Sequence, residues 1–513
     1  MGKWRCPLSV ALLYGVACAI SCSGNDAPAD AGMPEDGSDV PSQCPDPLDP
    51  VEPFGQIEVV GDGAAQSCTV ERLAAAVESL REVEGGGTVL FDCGASHTIE
   101  LDEELFVDFP LLIDGEGLIE LSGGGATRVI NCDHYAELTV QRLVISGGLA
   151  DESGAGIHMP WYGSLTAIDV RFEDNHCTSL ASDVGGGAVF AGGLEQAVFS
   201  ECELVGNSAS NGGGLLNRGS DLTIVDCLFQ ENEATSHSDG GQYGNGGGLY
   251  IDGMNYDEPG DLFLCGTTFE DNRAIQHGSA VFSYFYEGSH SLVSSCLFRG
   301  NNFDGSPGGG AGGFYHEAAP LLLSGCTFAE NRSNQHAAAV FIGSGSSATV
   351  INCTFANNTV PEVGAALFSG ASPVEIESCT LTGNEADYAP AIFKGEEAEI
   401  SLKNTILADN TTPNQYSALS CHEPLSDGGG NMQWPAEKPS GNEDTPCVPG
   451  IELADPLLRE LADYGGPVPT AALDPASPAV GFGADCPPPG VDARGEPRDA
   501  PCDSGAFELQ PDD

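Results

Sequence analysis

The stretch "LTIVDCLFQEN" (residues 222–232) is one of nine similar phrases along the chain, and this recurrence decides the fold. We call it the Asn phrase and number its positions one to eleven. Position three is always apolar, position eight is Phe or Leu, position six is mostly Cys, and position eleven is always Asn. The copies occupy residues 165–175, 197–207, 222–232, 262–272, 291–301, 321–331, 348–358, 374–384 and 400–410.

Side-chain alternation along the Asn phrase predicts two short strands. Positions one and three share one face, as do positions six and eight, but the step from three to six is odd. A bend at position five, which is polar or Gly, explains this change. We interpret position eleven as a second turn, because Asn adopts left-handed backbone and bonds its own chain locally. The predicted turn residues are Asn175, Asn207, Asn232, Asn272, Asn301, Asn331, Asn358, Asn384 and Asn410.

A second phrase, rich in small residues, precedes each Asn phrase; "GGGLYI" (246–251) is an example. We call it the glycine phrase. Small residues lead, and an aliphatic and then usually an aromatic residue follow. A unit of two such strands leaves an apolar face uncovered and has to stack on its neighbours. Short strands of this composition, with the same residue type returning once per unit, predict an all-β fold of stacked parallel strands.

The paired motifs "GGAVF" and "FEDN", "FQEN" or "FRGN" resemble the Gly-Gly-Ala-Ile and Phe-x-x-Asn repeats of polymorphic outer-membrane proteins. Residues 86–148 and the tail from "DPLLRELADYGG" onward are similar to bacterial choice-of-anchor surface β-helix proteins. Together the two resemblances cover about residues 66–509. They imply a right-handed parallel β-helix (solenoid) with a short N-terminal helical cap and an irregular C-terminal segment. They imply an architecture and not an activity, since one fold carries many functions.

The N-terminus has the features of an export signal. "MGKWR" is basic, and the following apolar run is too short for a stable membrane span. Small residues before Cys22 resemble a bacterial lipobox. We therefore predict an exported, outer-membrane-anchored lipoprotein on the surface of a Gram-negative bacterium, lipidated at Cys22 and in contact with the membrane through that lipid. Secretion with cleavage nearby is the alternative.

The predicted organisation has five parts. "VERLAAAVESL" (70–80) places its apolar residues on one helical face, which predicts a helix that covers the first edge of the solenoid. The parts are a signal peptide over residues 1–21, the lipidated Cys and a disordered acidic tether over 22–55, an N-terminal cap over 56–85, β-helix repeats over 86–410, and a Pro/Gly-rich C-terminal segment that packs on the helix over 411–513.

The formal net charge is −59, from 17 Lys+Arg and 76 Asp+Glu. Nucleic-acid binding needs basic surface, so this composition disfavours it. We expect a monomer with a glycan or protein ligand and no cofactor, with weak Ca²⁺ binding as the alternative.

Cysteine occurs in two settings. In an exported protein, cysteine pairs outside the repeat are candidate disulfides: Cys68 with Cys93, Cys421 with Cys447, and Cys486 with Cys502. At position six Val and Thr replace Cys, which predicts a buried ladder of reduced thiols; partial disulfide formation and a metal site are the alternatives. The ladder residues are Cys202, Cys227, Cys296, Cys326, Cys353 and Cys379. Cys44, Cys132, Cys177 and Cys265 fit neither setting.

No catalytic constellation and no metal site is evident in the sequence. Polysaccharide lyases and hydrolases need clustered carboxylates, often with a nearby Arg or Lys. The best candidates here precede the turn Asn once per coil and are interrupted by Gly, so we interpret them as solvated turn residues. They are Asp174, Glu231, Asp271, Glu330 and Asp409. The arginines Arg171, Arg218, Arg273, Arg299 and Arg332 show no partnered carboxylates in the sequence.

The aromatic position of the glycine phrase is the main surface candidate. If side chains alternate strictly along the strand, this position faces outward, where aromatic rings stack on sugars or on a protein partner. The alternative is that the tail or loops cover these rings or that the strand bends them inward. This strip comprises Phe190, Tyr250, Phe282, Tyr315, Phe341, Phe368 and Phe393, with His158 and Leu216 in line. We therefore expect a non-catalytic adhesion, binding or structural module. A lyase or glycoside hydrolase acting on an acidic polysaccharide is the alternative.

Overall fold

The computed structural model describes residues 43–235, 244–253, 261–286, 288–305, 310–486, 488, 490–511 and 513. The predicted signal peptide, the lipidation residue Cys22 and the tether up to residue 42 lie outside this range. Parallel strands stack into a right-handed β-helix of about 13 turns, which confirms the predicted fold class. Three sheets run along the solenoid, and we call them the first, second and third sheet.

The first sheet is built from the Asn phrases and the coils before and after them. Its described strands are Gln56–Gly61, Gly87–Asp92, His97–Glu100, Leu111–Ser122, Glu137–Ser146, Ser164–Glu173, Gln196–Ser200, Glu203–Val205, Asp221–Val225, Leu228–Gln230, Leu262–Cys265, Thr268–Glu270, Ser291–Ser294, Leu297–Arg299, Pro320–Ser324, Thr327–Ala329, Ser347–Ile351, Thr354–Ala356, Val374–Glu377, Thr380–Thr382, Ile400–Lys403, Ile406–Ala408, Ser426–Asp427, Met432–Trp434 and Glu452–Leu453.

The second sheet consists of two-residue strands that begin directly after position eleven, and the sequence did not indicate it. Its described strands are Leu149–Ala150, His176–Cys177, Ser208–Ala209, Glu233–Ala234, Arg273–Ala274, Asn302–Phe303 and Arg332–Ser333.

The third sheet contains the ends of the glycine phrases. Its described strands are Leu105–Val107, Ile130–Cys132, Ile157–Met159, Val189–Gly192, Leu215–Arg218, Leu249–Asp252, Val281–Tyr284, Phe314–Glu317, Val340–Ile342, Leu367–Ser369 and Ile392–Lys394.

The ends of the solenoid carry different structures. A helix over Val70–Arg81 buries Leu73, Ala76, Val77 and Leu80 against the first strands, and Thr69 accepts a hydrogen bond from the backbone of Arg72 at its start. A short 3-10 turn, Ala65–Ser67, precedes it. Towards the C-terminus, Leu458–Ala462 and Thr470–Leu473 form an antiparallel pair.

The interior is a set of ladders, because parallel strands in register place equal positions above one another. At position eight, Phe269 stacks on Phe298 with ring centroids 5.2 Å apart, and Phe298 stacks on Phe328 at 4.5 Å. All three side chains are fully buried. The Phe at this position therefore belongs to the core.

Left-handed backbone occurs at two positions of the Asn phrase. Position five has positive φ in each copy, for example 52° at Asp226, which agrees with the predicted bend. The second left-handed residue is at position ten, for example Glu231 with φ 54°, one residue earlier than the sequence interpretation placed it.

The Asn at position eleven is buried in all nine copies instead of forming an exposed turn. Nδ2 of Asn301 donates to Oδ1 of Asn331 at 3.0 Å and to the backbone oxygen of Phe269 at 3.0 Å, and the backbone N–H of Asn301 also donates to Oδ1 of Asn331. Each side-chain amide thus satisfies two main-chain groups of the preceding coil, for Asn301 the oxygen of Phe269 and the N–H of Asn272, which explains why no other residue occupies this position.

The cysteines of position six are buried free thiols. The backbone N–H of Cys326 lies 3.4 Å from the sulfur of Cys353, and the backbone N–H of Cys227 donates to Oγ1 of Thr267 at 3.3 Å. Cys and Thr replace one another here because both are small and both accept this bond. Burial raises the pKa of the Cys227 and Cys353 thiols, so they stay protonated.

Two segments lie across the outer face of the first sheet. Residues 43–55, which we call the strap, belong to the tether predicted to be disordered, but they are fixed to the sheet. Cys44 forms a disulfide with Cys265, Leu48 N–H donates to Oγ of Ser200, and Val51 exchanges two hydrogen bonds with the side chain of Gln141. The tether prediction therefore fails for residues 43–55.

The second segment, residues 464–486 and 490–509, is called the C-terminal cover. Oγ1 of Thr327 donates to Pro469 O at 2.6 Å, Thr354 and Thr470 bond through their hydroxyls at 2.9 Å, and Oγ1 of Thr380 accepts from Ala506 N–H at 3.0 Å. The cover therefore packs on the later coils, whereas the strap packs on the earlier ones.

Candidate functional site

A groove of about 460 Å³ opens on the outer face of the first sheet, in the early coils and beside the strap, which contacts Gln141 and Ser200 of the same coils. One wall is formed by residues 96–98. The other is residues 115–118, which stand opposite the single residue Arg142 of the next coil and so project from the sheet. The volume lies within the range of small-molecule sites, about 300–1,000 Å³. We call this the open groove.

Arg171 and Glu203 line the open groove as a consequence of strand register, and Glu173 lies beside Arg171. Arg171 and Glu203 are Cα partners on adjacent strands, so their outward side chains meet and form an ion pair. Glu173 lies two residues after Arg171 on the same face, and it accepts from Nη2 at 2.8 Å and from Nε at 3.1 Å. These hydrogen bonds lower the pKa of Glu173 and raise that of Arg171. Both groups are therefore charged over the whole neutral range.

Arg142 and Asp114 form a second ion pair at the edge of the open groove. Asp114 is buried, and it also accepts from Nε2 of Gln141 at 2.8 Å. Burial raises the pKa of Asp114, but hydrogen bonds from Arg142, from the backbone of Glu116 and from Gln141 outweigh it, so the pKa lies below its ordinary value. Since Gln141 also binds Val51, this pair connects the groove to the strap.

Glu120 and His97 of the groove are engaged as well, whereas Asp169 and Glu201, which also line it, have no side-chain hydrogen bond or ion pair among the described residues. Glu120 accepts from Oγ1 of Thr98 at 2.6 Å and from Oγ of Ser146 at 2.5 Å. Nε2 of His97 lies 2.9 Å from Cys68 O, which requires the proton on that nitrogen. The groove therefore offers fixed charges and hydrogen-bonding groups to a polar ligand, and its paired side chains are held in place before a ligand arrives.

These groove residues were not singled out from the sequence, apart from Arg171. Two sequence features could have indicated the groove. One is the inserted "GEG" at 115–117, and the other is the presence of acidic residues at equivalent outward positions around Arg171. Two of the other arginines, Arg218 and Arg273, also have carboxylate partners, whereas no ion pair is seen for Arg299 or Arg332 within the described residues. Arg218 pairs with Asp183 and Asp252, and Arg273 pairs with Glu233 and Asp304.

The turn carboxylates predicted from the sequence are exposed and do not converge. Asp174, Glu231, Asp271, Glu330 and Asp409 all have left-handed backbone at position ten. A Cβ on Gly300 would lie 2.3 Å from Oδ1 of Asp271, so that carboxylate leans over the glycine of the next coil. Within the described ranges, no three His, Cys, Asp or Glu side chains are placed to hold one metal ion.

The aromatic strip lies outside the main core, as plain alternation predicted, but it is not an open surface. Phe190, Tyr250, Phe282 and Tyr315 are buried, while Phe341, Phe368 and Phe393 are half-buried. The centroids of Tyr250 and Phe282 are 5.1 Å apart, and those of Phe368 and Phe393 are 4.7 Å apart. Because neighbouring rings cover each other's faces, the strip is a poor platform for a sugar.

Three disulfides occur among the described residues. Cys68–Cys93 and Cys421–Cys447 are the candidate pairs from the sequence, and Cys44–Cys265 is the pair that the sequence did not indicate. Cys265 occupies position four of the Asn phrase, which faces outward, instead of position six. This unusual position was the sequence feature that could have indicated a disulfide partner. The third candidate pair, Cys486 and Cys502, carries free thiols that contact each other.

Comparison with known proteins identifies the fold. The family model described as "Right handed beta helix region" matches residues 242–412, about a third of the chain. No curated protein matches the chain at a significant level. No helix in the described part of the chain is both long and apolar enough to cross a membrane. Over residues 242–412 the chain is thus similar to right-handed β-helix proteins, and it is a β-helix protein by structure.

Proposed function

We propose that this protein is an exported, lipid-anchored surface protein whose β-helix binds a ligand without transforming it. The observation that carries the proposal is the open groove, in which Arg171 is already paired with Glu203 and Glu120 already accepts two hydrogen bonds. Such a lining is suited to holding a ligand by hydrogen bonds, because its geometry is fixed in advance.

The protonation states of the groove support binding rather than hydrolysis. A general acid at neutral pH needs a carboxyl group of raised pKa. Beside the open groove, hydrogen bonds from Arg171 lower the pKa of Glu173, and the pKa of Asp114 lies below its ordinary value as well. An uncommitted arginine, as a lyase would use, is missing among the described groove residues, since Arg142 and Arg171 both hold carboxylates.

Surface attachment is proposed from the N-terminal sequence. The basic start, the apolar run and Cys22 have the order of a lipoprotein signal, and choice-of-anchor surface proteins are similar in the flanks. Three disulfides support an oxidising compartment. We expect radiolabelled palmitate to enter the wild-type protein and not the Cys22→Ser variant. Incorporation that persists in the variant would refute lipidation at this residue.

The rival function is a lyase or hydrolase of acidic polysaccharides. One observation supports this alternative: Arg171 forms ion pairs with two carboxylates, those of Glu173 and Glu203. Only the rival function predicts that the protein cleaves a polysaccharide. We expect no new reducing ends or unsaturated products from polygalacturonate or alginate, with or without Ca²⁺, and turnover of either polymer would overturn the binding proposal.

Binding itself is tested with matched variants. Arg171→Gln removes the central cation of the open groove, whereas Arg273→Gln removes a similar two-carboxylate arginine outside it. We expect the first variant to bind a glycan array or whole cells at least tenfold more weakly than wild type and the second to bind normally. Equal binding by both variants would exclude the open groove as the site.

A further inference from the structure

Three aromatic side chains are exposed together at the turn that leads from the third sheet to the first. Tyr135, Tyr162 and Trp161 are 69%, 51% and 40% exposed. The tyrosine rings stack with centroids 5.1 Å apart and planes 18° apart, and Trp161 lies 6.5 Å from Tyr162 at 45°. We call this group the tyrosine stack; it is separate from the buried aromatic strip.

The backbone under the tyrosine stack is unfavourable for tyrosine. Tyr135 has φ 67° and Tyr162 has φ 70°, a left-handed conformation that costs an L-residue about 1–2 kcal/mol. In the next two coils Gly193 and Gly219 adopt this conformation within the same turn, with Gly193 in register with Trp161. Two adjacent coils thus carry a large exposed ring where glycine suits the backbone best, so packing and folding do not explain these residues.

The stack has an open end. Tyr135 and Tyr162 occupy equivalent places in adjacent coils, because Asn131 pairs with His158 before them and Glu137 pairs with Ser164 after them. In the preceding coil the turn over residues 108–110 is shorter than that over 133–137, although its flanking strands pair in register. The preceding turn therefore has no counterpart of Tyr135.

On the opposite side, the next coil supports the stack. A Cβ on Gly193 would lie 1.9 Å from Cε3 of Trp161, so the indole ring rests directly on that glycine. Trp161 is thereby fixed beside Tyr162 with part of its surface exposed. The group is held rigidly at one end and open at the other.

Charge and size decide which ligand fits. Asp133, Glu137 and Glu195 are exposed within two residues of the turn, and Asp133 pairs with His134. Carboxylates repel uronic acids and phosphates but accept hydrogen bonds from hydroxyl groups. A stable protein interface buries about 800 Å² per partner, far more than three rings provide, whereas one sugar ring matches one aromatic face.

We propose that the tyrosine stack is a carbohydrate-binding site for neutral glycans, on which a pyranose ring stacks against Tyr135. This rests on the proposed binding function and names its ligand class. The site is distinct from the open groove, so the two can be inactivated separately.

Because the backbone is left-handed at both tyrosines, their rings can be removed by substitution with glycine without disturbing the fold. Tyr135→Gly and Tyr162→Gly remove the rings at positions where glycine is sterically preferred, so the double variant should fold with little change in melting temperature. Tyr416→Gly removes an isolated exposed tyrosine and serves as the control. Binding of neutral cello-, xylo-, manno- and chito-hexaoses to the full chain is measured by isothermal titration calorimetry.

We expect at least one neutral hexaose to bind wild type and the Tyr416→Gly variant equally, and the double variant at least tenfold more weakly. Binding that survives in the double variant but is lost in Arg171→Gln would overturn this inference and leave the proposed function standing. Failure of all four hexaoses to bind wild type would also overturn it, whereas the groove variants test the proposed function independently.

Discussion

The strap and the C-terminal cover protect two regions of one sheet face, and the residues beneath the cover differ from those that line the open groove. Position seven of the Asn phrase faces outward along the sheet. Beneath the cover it is Thr327, Thr354 and Thr380, all buried, whereas in the open groove it is Arg171 and Glu203. Beneath the cover, these small neutral side chains bond the covering segment, whereas position seven is charged in the groove and neutral in the half-buried copies Leu228, Thr268 and Leu297. A buried hydroxyl group at position seven therefore accompanies contact with the cover.

The largest effect should follow from breaking the cover. Arg498 is buried, pairs with Glu508 at 3.1 Å and donates to Oδ1 of Asn352 at 2.8 Å. We expect Arg498→Met to lower the free energy of unfolding of the cover by about 3–5 kcal/mol, because Glu508 loses its buried partner. Limited proteolysis and thermal unfolding measure this, with half-buried Arg299→Met as the control. An unchanged proteolysis pattern would show that the ion pair does not hold the cover.

The strap should respond to loss of its disulfide. Cys44→Ser opens a link that joins residues 221 apart in sequence, and such losses cost about 2–4 kcal/mol. We expect the amides of Leu48 and Val51 to exchange faster with deuterium, and Cys265→Ser to have the same effect. Protection that persists in both variants would mean that hydrogen bonds to the sheet are enough to hold the strap.

A smaller, pH-dependent effect is expected at Asp114, beneath the strap. Its folded pKa lies below the unfolded value, so its contribution to stability is present above the unfolded pKa, about 3.9, and is lost as the pH falls through the folded pKa. Asp114→Asn should cost about 1–3 kcal/mol at pH 7 and should flatten the acid limb of stability against pH. Guanidinium unfolding between pH 2 and pH 7 tests this, and parallel curves for both proteins would contradict it.

The smallest effect should come from a single hydroxyl under the cover. Thr354→Val keeps the shape of the side chain and removes its hydrogen bond to Thr470. We expect a loss of about 0.5–1.5 kcal/mol, seen as a lower melting temperature. The same change at Thr268, which occupies position seven but is half-buried, should have less effect. Equal losses would remove the distinction between covered and uncovered coils.

The repeat predicted the inside of the molecule well. Apolar residues at positions three and eight, the bend at position five and the interchange of Cys with Thr at position six are all local patterns that recur once per coil. The role of Asn301 and its copies was harder to foresee, because an exposed turn and a buried ladder both favour Asn. Only the stacked neighbour, which supplies the bonding partner, separates these interpretations.

The outside was predicted poorly. The aromatic strip from Phe190 to Phe393 was interpreted from alternation as a ligand face, but stacking across coils covers its rings. The tyrosine stack escaped notice because Tyr135 and Tyr162 lie in a turn where no alternation applies, and their spacing becomes meaningful only when adjacent coils are placed in register.

By itself, the sequence determined the parallel β-helix, its interior ladders and two of its disulfides, because each coil repeats the same short-range pattern. Tertiary structure alone decided which coils are covered. Cys44 reaches Cys265, and Arg498 reaches Asn352, through contacts between segments far apart in the chain. Such long-range contacts have no period in the sequence, and they leave open the groove in which Arg171 meets Glu203.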